Sequence, residues 1–269
     1  MRSVVRAGLL LAIFGASACR PASVDLRLRP EPGAIAFYTT TVEVASVSRL
    51  EGEPAEREIE RVSFRSRHTV LDDHGNLDGD GDGVRVEVVV AVNDADPRRF
   101  EVRFDRAAQL QGIDQVDGDA APLVGELGLS ELFPGAAGAL PDRRLGPGER
   151  FALDDTIELP GIDEEVRLTG RGRLVELGVE EGIDVAVVES SSALDLPALD
   201  LAPARTTLDG AQTGSSTVVD DVADVRVRRA DATTEQRFAV TLRAPPGSDQ
   251  EPVQGTLELT IRSQTRRTG

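Results

Sequence analysis

The sequence predicts a mainly β protein, built as one large curved antiparallel sheet or incomplete β-barrel with one or two short helices. Three observations carry that expectation. Segment after segment alternates apolar and polar residues, the period of a strand buried on one face. Turn signals such as "PEPG", "GPGE", "VEEG" and "APPGSDQEP" separate those segments. Only one stretch, 122–132, has its apolar residues near helical spacing.

From the N-terminal side, the first strands are "AFYTTTVEVASV" and "REIERVSFRSRHTVL". Next comes "VRVEVVVAV", with Val84, Val86, Val88, Val90 and Val92 on one face and Arg85, Glu87, Val89 and Ala91 on the other. In "RRFEVRFDR", Phe100, Val102 and Phe104 alternate with Glu101, Arg103 and Asp105. The region 121–141 breaks this rhythm. Leu123, Val124, Leu127 and Leu132 predict a short helix that Pro134 stops. Gly125 and Gly128 weaken it, because interior glycine costs about 1 kcal/mol against alanine.

After that region, "LPDRRLGPGERFALDD" opens a second set of strands, continued by "EEVRLTGRGRLVEL" and "IDVAVVESSSALDL". The stretch "SSSALDLPALDLAPA" reads as a strand running into a proline-limited loop. The closing strands pair Val225 with Val227, Phe238 with Val240 and Leu242, and Leu257 with Leu259 and Ile261. Roughly ten to twelve strands suit one large sheet or barrel. They span 25–265 as a single β-rich domain, whose halves, divided near 121–141, look similar in plan.

The N-terminus reads as an export signal. Arg2 and Arg6 form a basic region ahead of an apolar and small-residue run, 7–18, which is shorter than the roughly 20 residues a membrane-spanning helix needs. The chain's single cysteine, Cys19, directly follows "ASA". This "ASAC" segment resembles the lipobox of bacterial lipoproteins. That resemblance implies cleavage after residue 18, a diacylglyceryl group on Cys19 and a short lipidated tether over 19–24. Ordinary cleavage would instead leave an unpaired thiol, a liability in an exported protein. Several acyl chains on one residue give stable anchoring, since each buried methylene contributes about 0.8 kcal/mol. Arg20 stands where an aspartate often retains lipoproteins at the inner membrane, so in a cell with two membranes the expected location is the outer one.

Loss of residues 1–18 removes two arginines and moves the net charge from −17 to −19. So acidic a chain is not expected to bind nucleic acid by neutralising phosphates, and its membrane contact is expected to rest on the acyl chains. With one cysteine there is no intrachain disulfide, and with 8 Phe, 1 Tyr and no Trp the core must be mostly aliphatic.

The layout, together with "LFPGAAGALPDRRLGPGERFALDDTIEL", resembles the LolA/LppX-like lipoprotein group and its uncharacterised relatives. In that group an unclosed antiparallel sheet wraps an apolar hollow, and some members carry lipids or lipid-modified proteins between membranes. The resemblance implies a lipid or a lipidated protein as ligand, and no catalytic set comes with it.

One loop has a chemistry of its own. Counted from Asn76, "NLDGDGDGVRVE" places Asp78, Asp80, Asp82 and Glu87 at ligand positions of a calcium-binding loop, with Gly81 at the sharp turn. Against that, the first ligand is Asn, Gly83 stands where an apolar residue usually packs, and the flanks read as strands. A solvated hairpin tip whose glycines supply positive φ is the simpler reading.

His68 reads as a half-exposed strand residue and His74 as part of the acidic loop; no GxSxG, HExxH or cysteine–histidine pair is present. The expectation is therefore a non-enzymatic, lipid-anchored envelope protein binding a hydrophobic ligand in the concave face of its sheet. The alternative is a structural or surface-interaction lipoprotein, ordered or not by calcium.

Overall fold

A computed structural model describes residues 22–71, 83–92, 97–105, 107, 110–116, 140–141, 143–157, 166–201, 205–244 and 251–269. Its strands are β1 (Ile35–Leu50), β2 (Glu56–Val70), β3 (Val84–Val92), β4 (Arg98–Phe104), β5 (Leu110–Val116), β6 (Arg150–Ile157), β7 (Val166–Glu180), β8 (Ile183–Leu201), β9 (Thr206–Asp221), β10 (Val227–Leu242) and β11 (Val253–Arg267). They form one 11-stranded antiparallel sheet in the order β5-β4-β3-β2-β1-β11-β10-β9-β8-β7-β6. Two meanders, β1–β5 and β6–β11, are thus joined through β1 and β11, and the sheet stays unclosed between β5 and β6. The expected helix over 122–132 lies outside the described residues.

Alternation in the sequence becomes alternation in burial. Val84, Val86, Val88 and Val90 of β3 and Phe100, Val102 and Phe104 of β4 are all buried on the inner face. With Val42 and Phe64 they form one apolar cluster. A second cluster joins Phe151 and Leu153 of β6, Leu174 and Leu177 of β7, and Ala186 and Val188 of β8. A third lies at the opposite strand ends and contains Val166, Leu168, Leu194, Leu196 and Phe238.

The segment 22–34 runs as a strap across one end of the sheet. Val24 pairs with Leu145, and Leu26 is fully enclosed in the second cluster. Leu28 packs against the first cluster, and Ala34 accepts a hydrogen bond from the Val70 amide at the end of β2. Leu26 and Leu28 are at most about 7 Å apart along the chain. Along the sheet, β8 and β1 are separated by β9, β10 and β11, about 19 Å at normal strand spacing. A short step through the strap therefore links groups that a flat sheet would hold far apart, as a curled one does not.

Local chemistry sets the bends. Glu181 and Gly182 both have positive φ (53° and 82°), the two-residue primed turn that matches the twist of β7 and β8. Pro197, expected to end its strand, instead sits inside β8 where the register with β9 shifts between Leu196 and Leu199; at a bulge a missing N–H leaves no ladder bond unmade. Val225 does not alternate with Val227 within one strand. It occupies the β9–β10 turn at φ 56° and donates its N–H to Asp221. Gly172 of β7 lies directly under the Phe151 ring, so any Cβ there would collide with it. Gly172→Ala should therefore cost about 1–3 kcal/mol, measurable as a lower urea midpoint with an unchanged slope.

Candidate functional site

The inner face is graded along the strands. At the strap end the first two clusters fill it. Further along, its centre is lined by small and hydroxyl-bearing side chains: Thr40, Thr265, Ser263, Ala232, Ser216, Ser190 and Thr234. Several polar side chains on this face pair with one another. Thr40 and Thr265 hydroxyls are 2.9 Å apart, Ser190 and Ser216 are 2.8 Å apart, and Gln236 donates to Gln212 at 2.7 Å. Beside this band runs an apolar strip of Val44, Ile261, Leu259 and Leu257, all on inner-face positions and all only partly buried. That strip is apolar surface left open in a concave setting, and it ends on the third cluster, which it touches through Leu257 and Leu259.

A group of ionisable side chains sits at the strap end of the same face. The Tyr38 ring stacks at a tilt on His68, with centroids 4.7 Å apart, and Ser66 Oγ lies 3.1 Å from His68 Nε2. Burial pushes the Tyr38 hydroxyl up to about 12, and the charges of Arg267, Arg226, Asp224 and Asp220 all act on it. Burial pushes His68 down to about 4. Burial, with Asp224 and Asp221 close by, pushes the Asp220 carboxyl up to about 7. Asp224 is ion-paired with Arg226, and Asp221 accepts from the Ala223 amide at 3.0 Å and faces Arg267 at 4.0 Å. Burial at this end thus favours the neutral imidazole of His68 and the protonated carboxyl of Asp220.

The expected site residues are placed as follows. Cys19 lies outside the described residues, as do Asn76, Asp78, Asp80, Asp82 and His74. Glu87 is on the outer face of β3, as its alternation required. Its two carboxylate oxygens face Arg67 at 3.1 Å and Arg99 at 3.4 Å. His68 is half-buried in a strand, on the inner face of β2. Sequence reasoning did not single out Asp220 or Tyr38. The available signal was parity: Asp220 shares the inward phase of Val218, so a carboxylate was being directed into the sheet's interior.

Outward-facing positions differ from the chain as a whole. On β2 they carry Arg57, Arg61, Arg65 and Arg67, whereas Glu56, Glu58 and Glu60 point to the concave side. Among the described residues no group of histidine, cysteine, aspartate and glutamate side chains is arranged to hold a metal ion, and no helix is long and apolar enough to cross a membrane.

No family model matches the chain, and no curated protein matches it. Among solved structures, a lipovitellin chain studied for its lipid–protein interactions aligns with 89% of this chain at 13% identity and a TM-score of 0.41. This chain spans only 25% of that lipovitellin chain. A loop-deletion form of OmpT, an outer membrane protein of Vibrio cholerae, aligns with 88% of this chain and 100% of its own at 9% identity and a TM-score of 0.21.

Proposed function

We propose that this chain is a lipid-anchored envelope protein that holds a hydrophobic or lipidic molecule against the concave face of its sheet, as carriers of the lipoprotein group it resembles do. One observation supports the reading above others: the half-exposed strip of Val44, Ile261, Leu259 and Leu257 on the inside of an unclosed sheet. Covering apolar surface is worth about 25 cal/mol per Å², so an acyl chain lying along the strip gains from its whole length. The neighbouring Ser, Thr and Gln side chains suit the polar end of such a molecule. The reading assigns no catalysis and requires no metal.

The test uses full-length protein made in a membrane-containing host. Co-purifying lipids are identified by mass spectrometry, and uptake of a fluorescent fatty-acid probe is measured. A defined lipid should co-purify, and Leu259→Glu should reduce probe uptake at least about tenfold, because it places a charge in the apolar strip. No lipid together with no uptake would remove the carrier reading and leave a non-catalytic surface protein. The anchor is tested separately: Cys19→Ala should move the protein from the membrane fraction to the soluble one. Unchanged retention on membranes would sink the lipidation.

A further inference from the structure

The outer face carries a groove of about 540 Å³ on the side of the sheet away from the concave strip. Its rim is cationic: Arg65 and Arg67 of β2 and Arg99 of β4. Its floor is apolar: Phe37 of β1, 47% exposed, with Val89 and Ala91 of β3. Glu87 is the acid facing these arginines, and it is shared between Arg67 and Arg99. Arg65, exposed beside them, makes no ion pair or hydrogen bond with the described residues, and Arg67 Nε is enclosed without a partner. Among the described residues, three guanidiniums against one carboxylate leave a surplus of two positive charges around a greasy floor. The chain's net charge of −17 does not cancel this, since distant charges are screened beyond roughly 8 Å at physiological salt.

We propose that this groove binds the phosphate headgroup of an anionic phospholipid. The phosphate oxygens take the forked N–H donors of Arg65 and the unused donors of Arg67 and Arg99, a geometry that guanidinium matches better than ammonium. The glycerol ester portion lies on Phe37, Val89 and Ala91. This site is on the opposite face from the concave strip, so it stands or falls apart from the carrier reading. It gives an acidic protein one basic face toward an anionic bilayer.

The full-length protein in neutral detergent is titrated with dihexanoyl phosphatidylglycerol, with inorganic phosphate and with dihexanoyl phosphatidylcholine, by calorimetry. Phosphatidylglycerol should bind about tenfold more tightly than inorganic phosphate, because only the lipid covers the floor, and the zwitterionic lipid should bind more weakly than either. Arg65→Ala should weaken phosphatidylglycerol binding about tenfold, the size of a lost charged hydrogen bond, without changing the melting temperature. Glu87→Gln releases Arg67 and Arg99 and should tighten binding about threefold, a gain that misfolding cannot imitate. The roughly tenfold effect of Arg65→Ala should persist in a Leu259→Glu background, which separates this groove from the concave strip. Equal affinity for the lipid and inorganic phosphate would reduce the groove to a free-phosphate site and overturn the lipid assignment. So would binding that Arg65→Ala and Glu87→Gln leave unaltered, or no saturable binding at all.

Discussion

Leu26→Ala should destabilise the protein by about 3–4 kcal/mol, the range for removing a fully enclosed leucine whose surroundings relax only in part. Leu26 has no exposed surface and packs with Leu145, which is equally enclosed, and with Leu174 of β7. It lies in the strap and not in the sheet, so no ladder hydrogen bond is lost and the whole effect is apolar packing. The second expectation is spatial. Hydrogen exchange should speed up at Val24 and Leu145, which pair across the strap, and at Arg29, whose amide donates to Asp224. The paired interior of β1 and β11 should stay protected to the global limit. A loss under 1 kcal/mol in urea titration, followed by circular dichroism because the chain has no Trp, would show that the strap does not hold the two meanders together.

Asp220→Asn should give the protein's stability a pH dependence on the acid side of neutrality that the wild type lacks. The folded carboxyl is pushed from its ordinary 3.8 up to about 7, so the folded state holds a proton that the unfolded state releases. Stability from this group is therefore present below pH 3.8, falls as pH rises through the interval, and is fully lost above 7. The loss is on the order of 4 kcal/mol. His68 has the opposite sign. Its folded value is pushed from 6.5 down to about 4, so stability falls as pH drops through that window. His68 is half-buried as a whole residue, so solvent makes this effect smaller than the full shift. Between about pH 4 and 6.5 the two slopes oppose each other, and the wild type should be nearly flat. Asp220→Asn leaves only the His68 slope, so its stability should climb from pH 4 to 6.5 and exceed wild type above pH 7. Asp25, held down to about 2 chiefly by the Arg27 hydrogen bond, acts below this window and does not disturb it. Parallel profiles for the two proteins would show that Asp220 keeps no proton in the fold.

The strand faces were legible because a two-residue period decides which side each residue takes. Val84 to Val90 and Phe100 to Phe104 follow it without exception. Neighbours were not legible, because period says nothing of which strands pair. The β1–β11 junction joins residues more than 200 positions apart, such as Thr40 and Thr265, and no local pattern announces it. For the same reason the inner face was expected to be more evenly apolar than it is. Ser190, Ser216 and Ser263 come from three strands and form a band only once the register sets them side by side. Pro197 and Val225 misled because each marks a place where the ladder skips: one is a bulge and the other a turn residue at positive φ. The site around Tyr38, His68 and Asp220 stayed hidden because each residue alone is ordinary, and only their meeting at one end of the sheet is not.

The seam between β5 and β6 has a mechanical consequence. Among the described residues no ladder rung crosses it, so a change of twist alone alters the spacing of the two flanks with every rung intact. At one end the flanks are fastened by the belt of residues 22–34 and by the Leu140 amide, which donates to the Ala107 carbonyl across the gap. The described sheet is therefore clasped at one end like a clip, with its two flanks joined along their length only through β1 and β11.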